Sequence, residues 1–308
     1  MAAARPKITV VGSSNMDLVV KSERIPVTGE TILGGDFVMV PGGKGANQAV
    51  AAARLGADVC FIAKLGEDIF GAQSLNNFKK EGINTTYVTQ TKEAPSGVAL
   101  INIDNNGNNI IIVAPGANAT LSPDDVKQAE PDIASSGALV AQLEIPIETV
   151  EFAAAIAHKH NVPFILDPAP ARWLSAELLA IVDVLTPNET EARILTGIEV
   201  KDEDSAVAAS KKLLQSSVKA VILTMGAGGF LLAEGDDTKF VPAKKVNPVD
   251  STAAGDVFTG SLAAELAAGK TLLDAALFAN HAAALSVTKI GAQSSIPTLE
   301  QVKDFMNI

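Results

Sequence analysis

Few residues in this chain can cross-link it or hold a transition metal. Its 308 residues include one cysteine, Cys60, and three histidines. A single cysteine cannot form an intramolecular disulfide, and we expect it to be a buried side chain in a reducing compartment. The histidines have no partner at metal-ligand spacing, and HExxH, CxxC and Ser–His–Asp signatures are absent from the sequence. A disulfide framework is therefore excluded, and nothing in the sequence indicates a zinc centre.

Positive charge and long apolar runs are also scarce. The formal net charge is −11 at pH 7, which argues against nucleic acid or an anionic membrane surface as a partner. The sequence has no run of about 18 apolar residues, and its first residues, MAAARPK, lack the apolar stretch of a secretory signal. We therefore expect a cytoplasmic protein that binds neither nucleic acid nor membranes.

Aromatic residues make up only 4% of the chain against 47% hydrophobic residues in total, so the core must consist mainly of Ala, Val, Ile and Leu. Short apolar runs of the kind buried in parallel sheets alternate with helical patterns. This alternation predicts an α/β fold with a doubly wound, mainly parallel sheet and helices on both faces. The predicted strands are Ile8–Val11, Val59–Ala63, Ala138–Gln142, Pro163–Asp167, Asp183–Leu185 and Ala220–Thr224. The predicted helices include Ala46–Leu55, Ala72–Lys80, Ile147–Lys159, Glu189–Leu195 and Ala206–Leu214.

Two regions interrupt the alternation. The segment 17–39 has alternating stretches separated by glycines, and Ser96–Val113 has the pattern of a hairpin with its turn at Asn105–Asn109. Together they predict a small β-sheet beside the main sheet, and a purely decorative hairpin remains an alternative. We therefore expect one α/β domain over residues 1–308, with insertions at about 17–40 and 96–114 that form a lid.

The segment Asp250–Gly260, DSTAAGDVFTG, has the pattern of an anion-binding helix start. Ala253, Ala254 and Gly255 are small residues that stand just before an apolar helical pattern. The first N–H groups of a helix lack internal partners and lie at its positive end, so they can bind an anion. Asp256 would then be a base beside that anion site, as phosphoryl transfer to a hydroxyl requires. An ordinary helix start with an acidic first turn has the same pattern.

A second glycine-rich segment, Pro41–Ala49, reads PGGKGANQA and begins another predicted helix. It is not a P-loop, because Val38 stands where that motif has its first glycine and Gly45 follows the lysine. Glycines allow close approach of the backbone, and the polar side chains of the loop, the cationic Lys44 and the amide-bearing Asn47 and Gln48, can then reach a small hydroxylated ligand. A glycine-rich loop without a ligand is common, but two such loops in one chain favour a binding site.

Polar residues also follow predicted strands. Asn15 and Asp17 come after the first strand, and open α/β sheets bind ligands at the carboxyl ends of their strands. Asp17 offers two acceptors for hydroxyl groups, whereas an Asx turn would explain the same residues without a ligand. The segment Asn188–Glu191 has the form of a helix capping box, which is compatible with a second role in chemistry.

PGGKGANQA and DSTAAGD resemble the two signatures of the ribokinase family of carbohydrate kinases, the PfkB-type sugar kinases. The resemblance implies a ribokinase-like fold, ATP as phosphoryl donor, and a β-sheet lid through which two subunits form a homodimer. It extends along nearly the whole chain in the family's order, through Val11–Asp17, Thr186–Glu191, Thr224–Gly229 and Gly291–Ser295. The segments most similar to family members that act on D-ribose are GGKGANQA, Gln142–Glu144, DPAPAR at Asp167–Arg172, and AAGD.

The resemblance also implies roles for individual residues, and Mg²⁺ is expected to arrive with ATP and be held through water. The implied sugar contacts are Asn15, Asp17, Gly43, Lys44, Gly45, Asn47, Glu144 and Asp256. The implied nucleotide contacts are Asn188, Glu191, Thr224, Met225, Gly226, Ala227, Gly228, Gly229, Gly255 and Asn280, with Asn280 placed before a helix. The implied K⁺ site consists of a buried Asp250 with Thr252, Ser286, Lys289, Gly291 and Ser295.

The combined prediction is ATP-dependent phosphorylation of D-ribose at O5. Asp256 would take the proton from the hydroxyl group, and the amides of Ala253, Ala254 and Gly255 would bear the developing charge. Lys44 would lie near the transferred group or only orient its loop. A 2-deoxyribose kinase, or another sugar or nucleoside kinase of the family, is the alternative enzyme. A catalytically silent sugar-binding member is the non-enzyme alternative, which the intact Asp256 and anion site disfavour.

Overall fold

The computed structural model describes residues 5–307 and contains a large and a small β-sheet. The strands, in chain order, are β1 (Lys7–Val11), β2 (Asn15–Lys21), β3 (Phe37–Gly42), β4 (Asp58–Gly66), β5 (Asn84–Thr91), β6 (Gly97–Ile103), β7 (Asn109–Ala114), β8 (Ala138–Ala141), β9 (Phe164–Leu166), β10 (Val184–Leu185), β11 (Ala220–Thr224), β12 (Gly229–Glu234) and β13 (Asp237–Pro242). The helices are α1 (Lys44–Arg54), α2 (Ile69–Lys80), α3 (Pro123–Gln128), α4 (Glu130–Ala134), α5 (Ile147–Lys159), α6 (Ala176–Leu179), α7 (Glu189–Thr196), α8 (Glu203–Leu214), α9 (Ala254–Ala267), α10 (Leu272–Ser286) and α11 (Leu299–Met306).

The large sheet has nine strands in the order β13-β12-β11-β10-β9-β8-β1-β4-β5. The strands from β5 across to β11 pair in parallel, and β12 and β13 extend the sheet antiparallel at one edge. The predicted doubly wound, mainly parallel sheet is therefore confirmed, as are all six predicted strands and all five named helices, to within a few residues. The predicted strands do not include β5, β12 or β13. Strand β5 is mostly polar and β13 begins with three polar residues, whereas β12 is a buried apolar run that the prediction missed.

Both faces of the large sheet are buried, each against its own set of helices. Successive side chains of a strand point to opposite faces. In β11, Ile222 packs with α1, α9 and α10, whereas Val221 and Leu223 pack on the other face with α5 and α8. Burial on both faces explains why the strands read as continuous apolar runs rather than alternating ones. Cys60 of β4 is 1% exposed, as expected of a core residue.

Close packing of two helices positions the site at the carboxyl edge of this sheet. Helices α1 and α9 lie side by side and are rich in alanine. Gly260 of α9 faces α1 so closely that an added Cβ would lie 2.5 Å from the carbonyl oxygen of Gln48 and 2.8 Å from the Cβ of Ala51. Only glycine permits this approach, which brings the first turns of the two helices together. The shortage of aromatic residues agrees with this packing, because helices with small side chains can lie close together.

The small sheet has the strand order β3-β2-β6-β7, and its strands fall in the two regions that interrupt the α/β alternation. The predicted smaller sheet is therefore confirmed. It begins at Asn15, so Asn15 and Asp17 belong to β2 rather than to a loop after β1. The hairpin loop between β6 and β7 closes with a bond from the Asp104 amide to the Asn108 carbonyl (2.9 Å). Asn109, predicted in the turn, is instead the first residue of β7.

Within residues 5–307, no helix is long and apolar enough to cross a membrane.

Candidate active site

The first turns of α1 and α9 meet around the carboxylate of Asp256. This side chain is 5% exposed. Its Oδ2 accepts a hydrogen bond from Asn47 Nδ2 (2.9 Å), and its Oδ1 accepts one from Gln48 Nε2 (3.1 Å). The two glycine-rich segments, more than 200 residues apart in sequence, therefore form one site. Two amide donors orient the carboxylate without neutralising it, so Asp256 remains able to accept a proton.

A second buried carboxylate, Asp167, lies beside Asp256. Asp167 follows β9 and is 5% exposed. Gln48 Nε2 donates to its Oδ2 (2.7 Å) as well as to Asp256. The ammonium of Lys44 lies 3.9 Å from Asp167 Oδ2 and 4.0 Å from Asp256 Oδ1. One cation thus serves two acidic groups.

Burial and charge shift the pKa values in this cluster. Burial raises the pKa of Asp256, although Lys44 and the hydrogen bonds from Asn47 and Gln48 act in the opposite direction. Burial also raises the pKa of Asp167, and the charge of Lys44 opposes this. For Lys44, burial lowers the pKa, but the charges of Asp167 and Asp256 outweigh it and raise the pKa overall. A carboxylate with a raised pKa is a stronger base, which suits Asp256 to proton abstraction near neutral pH.

The start of α9 presents free amides next to this carboxylate. Ala253 adopts a left-handed conformation (φ 62°) and directly precedes the helix, and a Cβ added at Gly255 would meet open space. The amide of Ala254 bonds to the Ser251 carbonyl (3.2 Å). Among the described residues, the amides of Ala253, Gly255 and Asp256 have no acceptor. The start of α9 thus offers free amides of the kind that the anion site predicted from Ala253, Ala254 and Gly255 requires, although the Ala254 amide is occupied and the Asp256 amide is free instead.

Asp17, which was predicted to bind hydroxyl groups of the sugar, is the third residue of β2 in the small sheet. It is 8% exposed. The neighbouring strand β3 ends at Gly42, where an added Cβ would lie 2.3 Å from an Asp17 carboxylate oxygen. The missing side chain at position 42 thus leaves the space that the carboxylate occupies. Burial, followed by the charges of Glu144 and Asp256, raises the pKa of Asp17 to about 7.

The glycines next to Lys44 let the start of α1 lie against residues 13–15. Gly43 has φ 90°, and a Cβ there would lie 2.6 Å from the amide nitrogen of Asn15; a Cβ at Gly45 would lie 2.6 Å from that of Ser13. Glu144 Oε2 holds this arrangement, because it accepts from Ser13 Oγ (2.6 Å) and from the Lys44 amide (3.1 Å). Glu144 Oε1 has no donor among the described residues. It stays available to a ligand.

Asn15 is fixed by a residue that the sequence patterns do not single out. Asn118 donates from Nδ2 to Asn15 Oδ1 (2.8 Å), and its own Oδ1 accepts from the Ser14 amide (2.9 Å). The acceptor of Asn15 is therefore occupied, which leaves its Nδ2 as the group able to contact a ligand. On the opposite side of the site, the Oδ1 of Asn47 is buried without a partner in residues 5–307.

The residues predicted to bind the nucleotide lie next to the two buried carboxylates, Asp167 and Asp256. The capping box at Asn188 and Glu191 is confirmed: each side chain accepts from the other residue's amide (2.9 and 2.8 Å). Burial raises the pKa of Glu191. Asn188 also bridges to Thr224 at the end of β11. A small cavity of about 40 Å³ lies between these groups and Asp167. It is lined by Lys44, Asp167, Thr186, Asn188, Glu191, Thr224, Gly255 and Thr259.

The other predicted nucleotide residues lie further along the same edge. Thr224 and Met225 are half-buried, and Gly226, Ala227 and Gly228 form an exposed 3₁₀ turn. Gly229 begins β12 (φ 112°), and an added Cβ there would lie 2.0 Å from the Val241 carbonyl oxygen, so this glycine is required by packing. Asn280 was predicted to precede a helix, but it lies inside α10. Its Nδ2 donates to the Pro242 carbonyl (3.1 Å). Asn280 therefore ties α10 to β13.

Two loops meet where the cation site is predicted. Asp250 Oδ1 accepts from the amide and hydroxyl of Thr252 (2.9 and 2.6 Å), and Oδ2 accepts from the Gly291 amide (2.8 Å). Despite partial burial, these bonds lower the pKa of Asp250. Asp250 was predicted to be buried, but it is half-buried, because it lies on the outer loop before α9.

The remaining groups of the predicted cation site offer oxygen atoms only. Among the described residues, the carbonyls of Thr252, Lys289 and Gly291 accept no hydrogen bond, whereas the Ser286 carbonyl accepts from the Lys289 amide (3.1 Å). The Ser295 hydroxyl donates to the Ala292 carbonyl (2.8 Å), which leaves its lone pairs free. Uncharged oxygens around one carboxylate suit a monovalent hard cation. In the described part of the chain, no group of three or more His, Cys, Asp or Glu side chains is arranged to hold a metal ion.

Sequence reasoning missed several residues of this site. Gln48 was expected to be a polar residue of the ligand-binding loop, not a link between two carboxylates. Asp167 lies in the DPAPAR segment but received no role, and Asn118 and Ser13 were not noticed. Asp167 had a usable signal, because it directly follows a buried strand, as ligand-binding residues of open sheets do. The link made by Gln48 and the contacts of Asn118 had none, since their partners are distant in sequence.

Comparisons with known proteins find relatives over nearly the whole chain. The chain matches the model of the pfkB family carbohydrate kinase over residues 5–299. It is 45% identical over 302 residues to the ribokinase of Haemophilus influenzae, covering 98% of this chain and 99% of that protein. It is 40% identical to the deoxyribokinase of Salmonella typhi, covering 98% and 99%. This chain belongs to the pfkB family of carbohydrate kinases.

A solved structure gives the same result for the fold. The ribokinase of Arabidopsis thaliana complexed with ribose and ATP is similar to this chain with a TM-score of 0.91 at 33% identity, covering 99% of this chain and 100% of that one. The predicted ribokinase-like fold and family are confirmed.

Proposed function

We propose that this protein transfers the γ-phosphoryl group of ATP to O5 of D-ribose. The observation that carries the proposal is the buried Asp256 carboxylate beside the free amides at the start of α9. Similarity to ribokinases over nearly the full length, including one solved with ribose and ATP, supports the choice of substrates. The whole chain would act as one ribokinase-like domain whose small sheet serves as a lid.

The site suggests how its residues divide the reaction. Asp256 accepts the proton of the 5-hydroxyl as O5 forms a bond to the γ-phosphorus, while the bond from that phosphorus to the β,γ-bridging oxygen breaks and ADP leaves. The free amides of Ala253, Gly255 and Asp256 donate to the phosphoryl oxygens as charge develops on them. Lys44 adds a positive charge to the same space. Asp17, Asn15 and Glu144 hold the sugar hydroxyls so that O5 faces Asp256.

The residues around the small cavity also suit the metal ion that accompanies the nucleotide. The cavity wall offers oxygen donors, the type that Mg²⁺ prefers. Both carboxylate oxygens of Glu191 already accept from Asn188 (2.8 and 2.9 Å), so these two residues would orient the water shell of Mg²⁺ rather than bind it directly. When bound with ATP, Mg²⁺ supplies charge neutralisation at the β- and γ-phosphates.

We expect K⁺ to raise kcat relative to Na⁺ without changing the melting temperature. Asp250, Thr252, Ser286, Lys289, Gly291 and Ser295 would hold the ion. Because Asp250 stands three residues before Ala253, an ion there would fix the position of the amides at the start of α9. The measurement is a titration of cation-free enzyme with each salt at constant ionic strength. In Asp250→Ala the two salts should give the same rate, and equal rates in the wild-type protein would contradict the K⁺ site.

We expect sugar affinity to increase as pH rises. Asp17 has a pKa of about 7, and its ionised form accepts hydrogen bonds from sugar hydroxyls, so binding at lower pH must first remove the proton. Between about pH 6 and pH 8, the Kd for D-ribose should fall up to about tenfold. Calorimetric titration without nucleotide measures this Kd. Asp17→Asn should show no such trend, and an equally steep trend in that variant would assign the pH dependence to another group.

We expect a homodimer formed through the small sheet. Strand β7 is exposed along its whole length, and Ile110, Ile111, Ile112 and Val113 are 45–61% exposed. An apolar edge strand of this kind needs a partner, and symmetric pairing of two lids would provide one. Light scattering at micromolar concentration should give twice the 31.7 kDa of one chain. Ile112→Asp should give monomers, whereas Ile194→Asp, at a comparably exposed position on α7, should not; a fully active wild-type monomer would contradict the proposal.

The decisive experiment for the function is a sugar panel assayed with ATP, Mg²⁺ and K⁺. We expect the highest kcat/KM with D-ribose. The similarity to the deoxyribokinase of Salmonella typhi makes 2-deoxyribose the second candidate. Preference for 2-deoxyribose would move the assignment to that sugar, and sugar binding without ADP formation would indicate a catalytically silent protein.

A further inference from the structure

A single side-chain amide links the two buried carboxylates of the site. Gln48 Nε2 donates to Asp167 Oδ2 at 2.7 Å and to Asp256 Oδ1 at 3.1 Å. The amide cannot rotate freely, because its Oε1 accepts from Gln142 Nε2 at 2.6 Å. Exchange of its oxygen and nitrogen would place an oxygen against both carboxylates. Gln48 therefore holds Asp167 and Asp256 at fixed positions relative to each other.

The charges around Asp256 do not balance. The groups whose charge reaches Asp256 are Lys44 from α1, Asp167 after β9, Glu144 after β8, Glu191 from α7 and Asp17 from β2. Lys44 is the one cation among them. Its Nζ lies at nearly equal distances from Asp167 and Asp256 (3.9 and 4.0 Å), so it is shared between them rather than paired with the base.

Asp167 is the acidic group that competes most directly for this cation. It is 5% exposed, it lines the cavity next to the start of α9, and its Oδ2 faces both Lys44 and Gln48. A carboxylate without a neighbour of like charge would pair with Lys44 completely and become a poor base. With Asp167 present, the attraction of Lys44 is divided.

We propose that Asp167 is a positioning residue that keeps Lys44 shared and thereby maintains Asp256 as an effective proton acceptor. The inference rests on the proposed function, because it assumes that Asp256 takes the proton from the sugar. Asp167 acts through Lys44 and Gln48, without contact with the sugar. The two carboxylates titrate as a pair, and removal of one charge leaves the other beside an undivided ammonium.

The test is the pH profile of kcat in Asp167→Asn. Asparagine keeps an oxygen atom that can accept from Gln48 but removes the negative charge. The carboxylate of Asp256 then becomes a weaker base and stays ionised at lower pH. We expect the acidic limb of the profile to move down by about one pH unit or more. We also expect kcat at the plateau to fall, with KM values for ATP and ribose changed less than about threefold. Asp167→Ser, which removes the charge with a shorter side chain, should shift the limb in the same direction.

The matched control is Asp183→Asn. Asp183 directly precedes β10, and its carboxylate lies at the start of β9, the opposite end from Asp167: its Oδ2 accepts from the Phe164 amide (2.7 Å) and its Oδ1 pairs with Lys219 (2.5 Å). This control should leave the pH profile unchanged. An acidic limb at the wild-type position in both Asp167 variants would overturn the inference while ribose phosphorylation still stands. An equal shift in Asp183→Asn would overturn it as well. Absence of sugar phosphorylation by the wild-type enzyme would instead contradict the proposed function on which the inference rests.

Discussion

Asp256→Asn is expected to lower kcat about 10²–10⁴-fold, the usual cost of removing a general base. Asparagine has the shape of aspartate but cannot accept the proton of the 5-hydroxyl. The site can accommodate the new NH₂ group, because Asn47 Oδ1 is buried without a partner in the described chain and becomes an acceptor if the Asn47 amide turns over. Binding of ADP and ribose should therefore change little. Steady-state rates and calorimetric titrations with each ligand measure the two effects separately.

Asp274→Asn is the matched control for this prediction. Asp274, like Asp256, stands in the first turn of a helix, and its amide bonds to the capping side chain of Thr271 (3.1 Å). If the role of Asp256 were only to favour the helix start, the two variants would lose similar amounts of stability and neither would lose much activity. Turnover by Asp256→Asn within a few-fold of wild type would show that Asp256 is not the base.

Asp17→Ala is expected to raise the KM for ribose by about 5- to 150-fold, because a polar group left without its partner in a buried site costs about 1–3 kcal/mol. The KM for ATP should change much less, since Asp17 lies in the small sheet, on the sugar side of the site. Gly42→Ala should have a similar effect with the carboxylate still present. A Cβ at position 42 would lie 2.3 Å from an Asp17 carboxylate oxygen and force it to move.

Gly35→Ala provides the control within the same lid region. A Cβ at position 35 would meet only the Lys21 carbonyl oxygen, at 3.7 Å, which is an ordinary contact. This variant should keep the wild-type KM for both substrates. An unchanged ribose KM in Asp17→Ala would leave Asp17 with a structural role in β2. An equal increase in all three variants would point to general loosening of the small sheet.

The sequence predicts the central strands of this fold well because each is a continuous apolar run. Ala220–Thr224 and Ile147–Lys159 were predicted with the observed bounds. The outer strands β5, β12 and β13 were not predicted. The residues of β5 are mainly half-buried and those of β13 mainly exposed, so neither is a continuous apolar run, whereas β12 is such a run and was missed. The position of Asn280 was predicted wrongly although the sequence does mark the start of its helix, since Thr271 caps α10 and Asp274 stands in its first turn. Local patterns thus specify what is buried on both faces and little else.

The site was predictable where its chemistry depends on local backbone. The start of α9 and the loop before α1 could be identified because small residues before a helix have a direct physical meaning. The pairing of Asp256 with Asn47 could not, since it depends on the approach of two helices at Gly260. The same reason applies to the link that Gln48 makes between Asp167 and Asp256, which arises only when α1, α9 and β9 meet. Partnerships between distant segments require the tertiary structure.

The central claim is that O5 of D-ribose receives the γ-phosphoryl group at the Asp256 site. Its most direct test is ³¹P and ¹³C NMR of a reaction with ATP, Mg²⁺, K⁺ and D-ribose, followed to completion with wild type and Asp256→Asn in parallel. We predict one sugar phosphate, with phosphorus coupled to C5, formed in equal amount to ADP by the wild type and not detectably by the variant over the same period. ADP formed without a sugar phosphate, or phosphate attached at another carbon, would contradict the account.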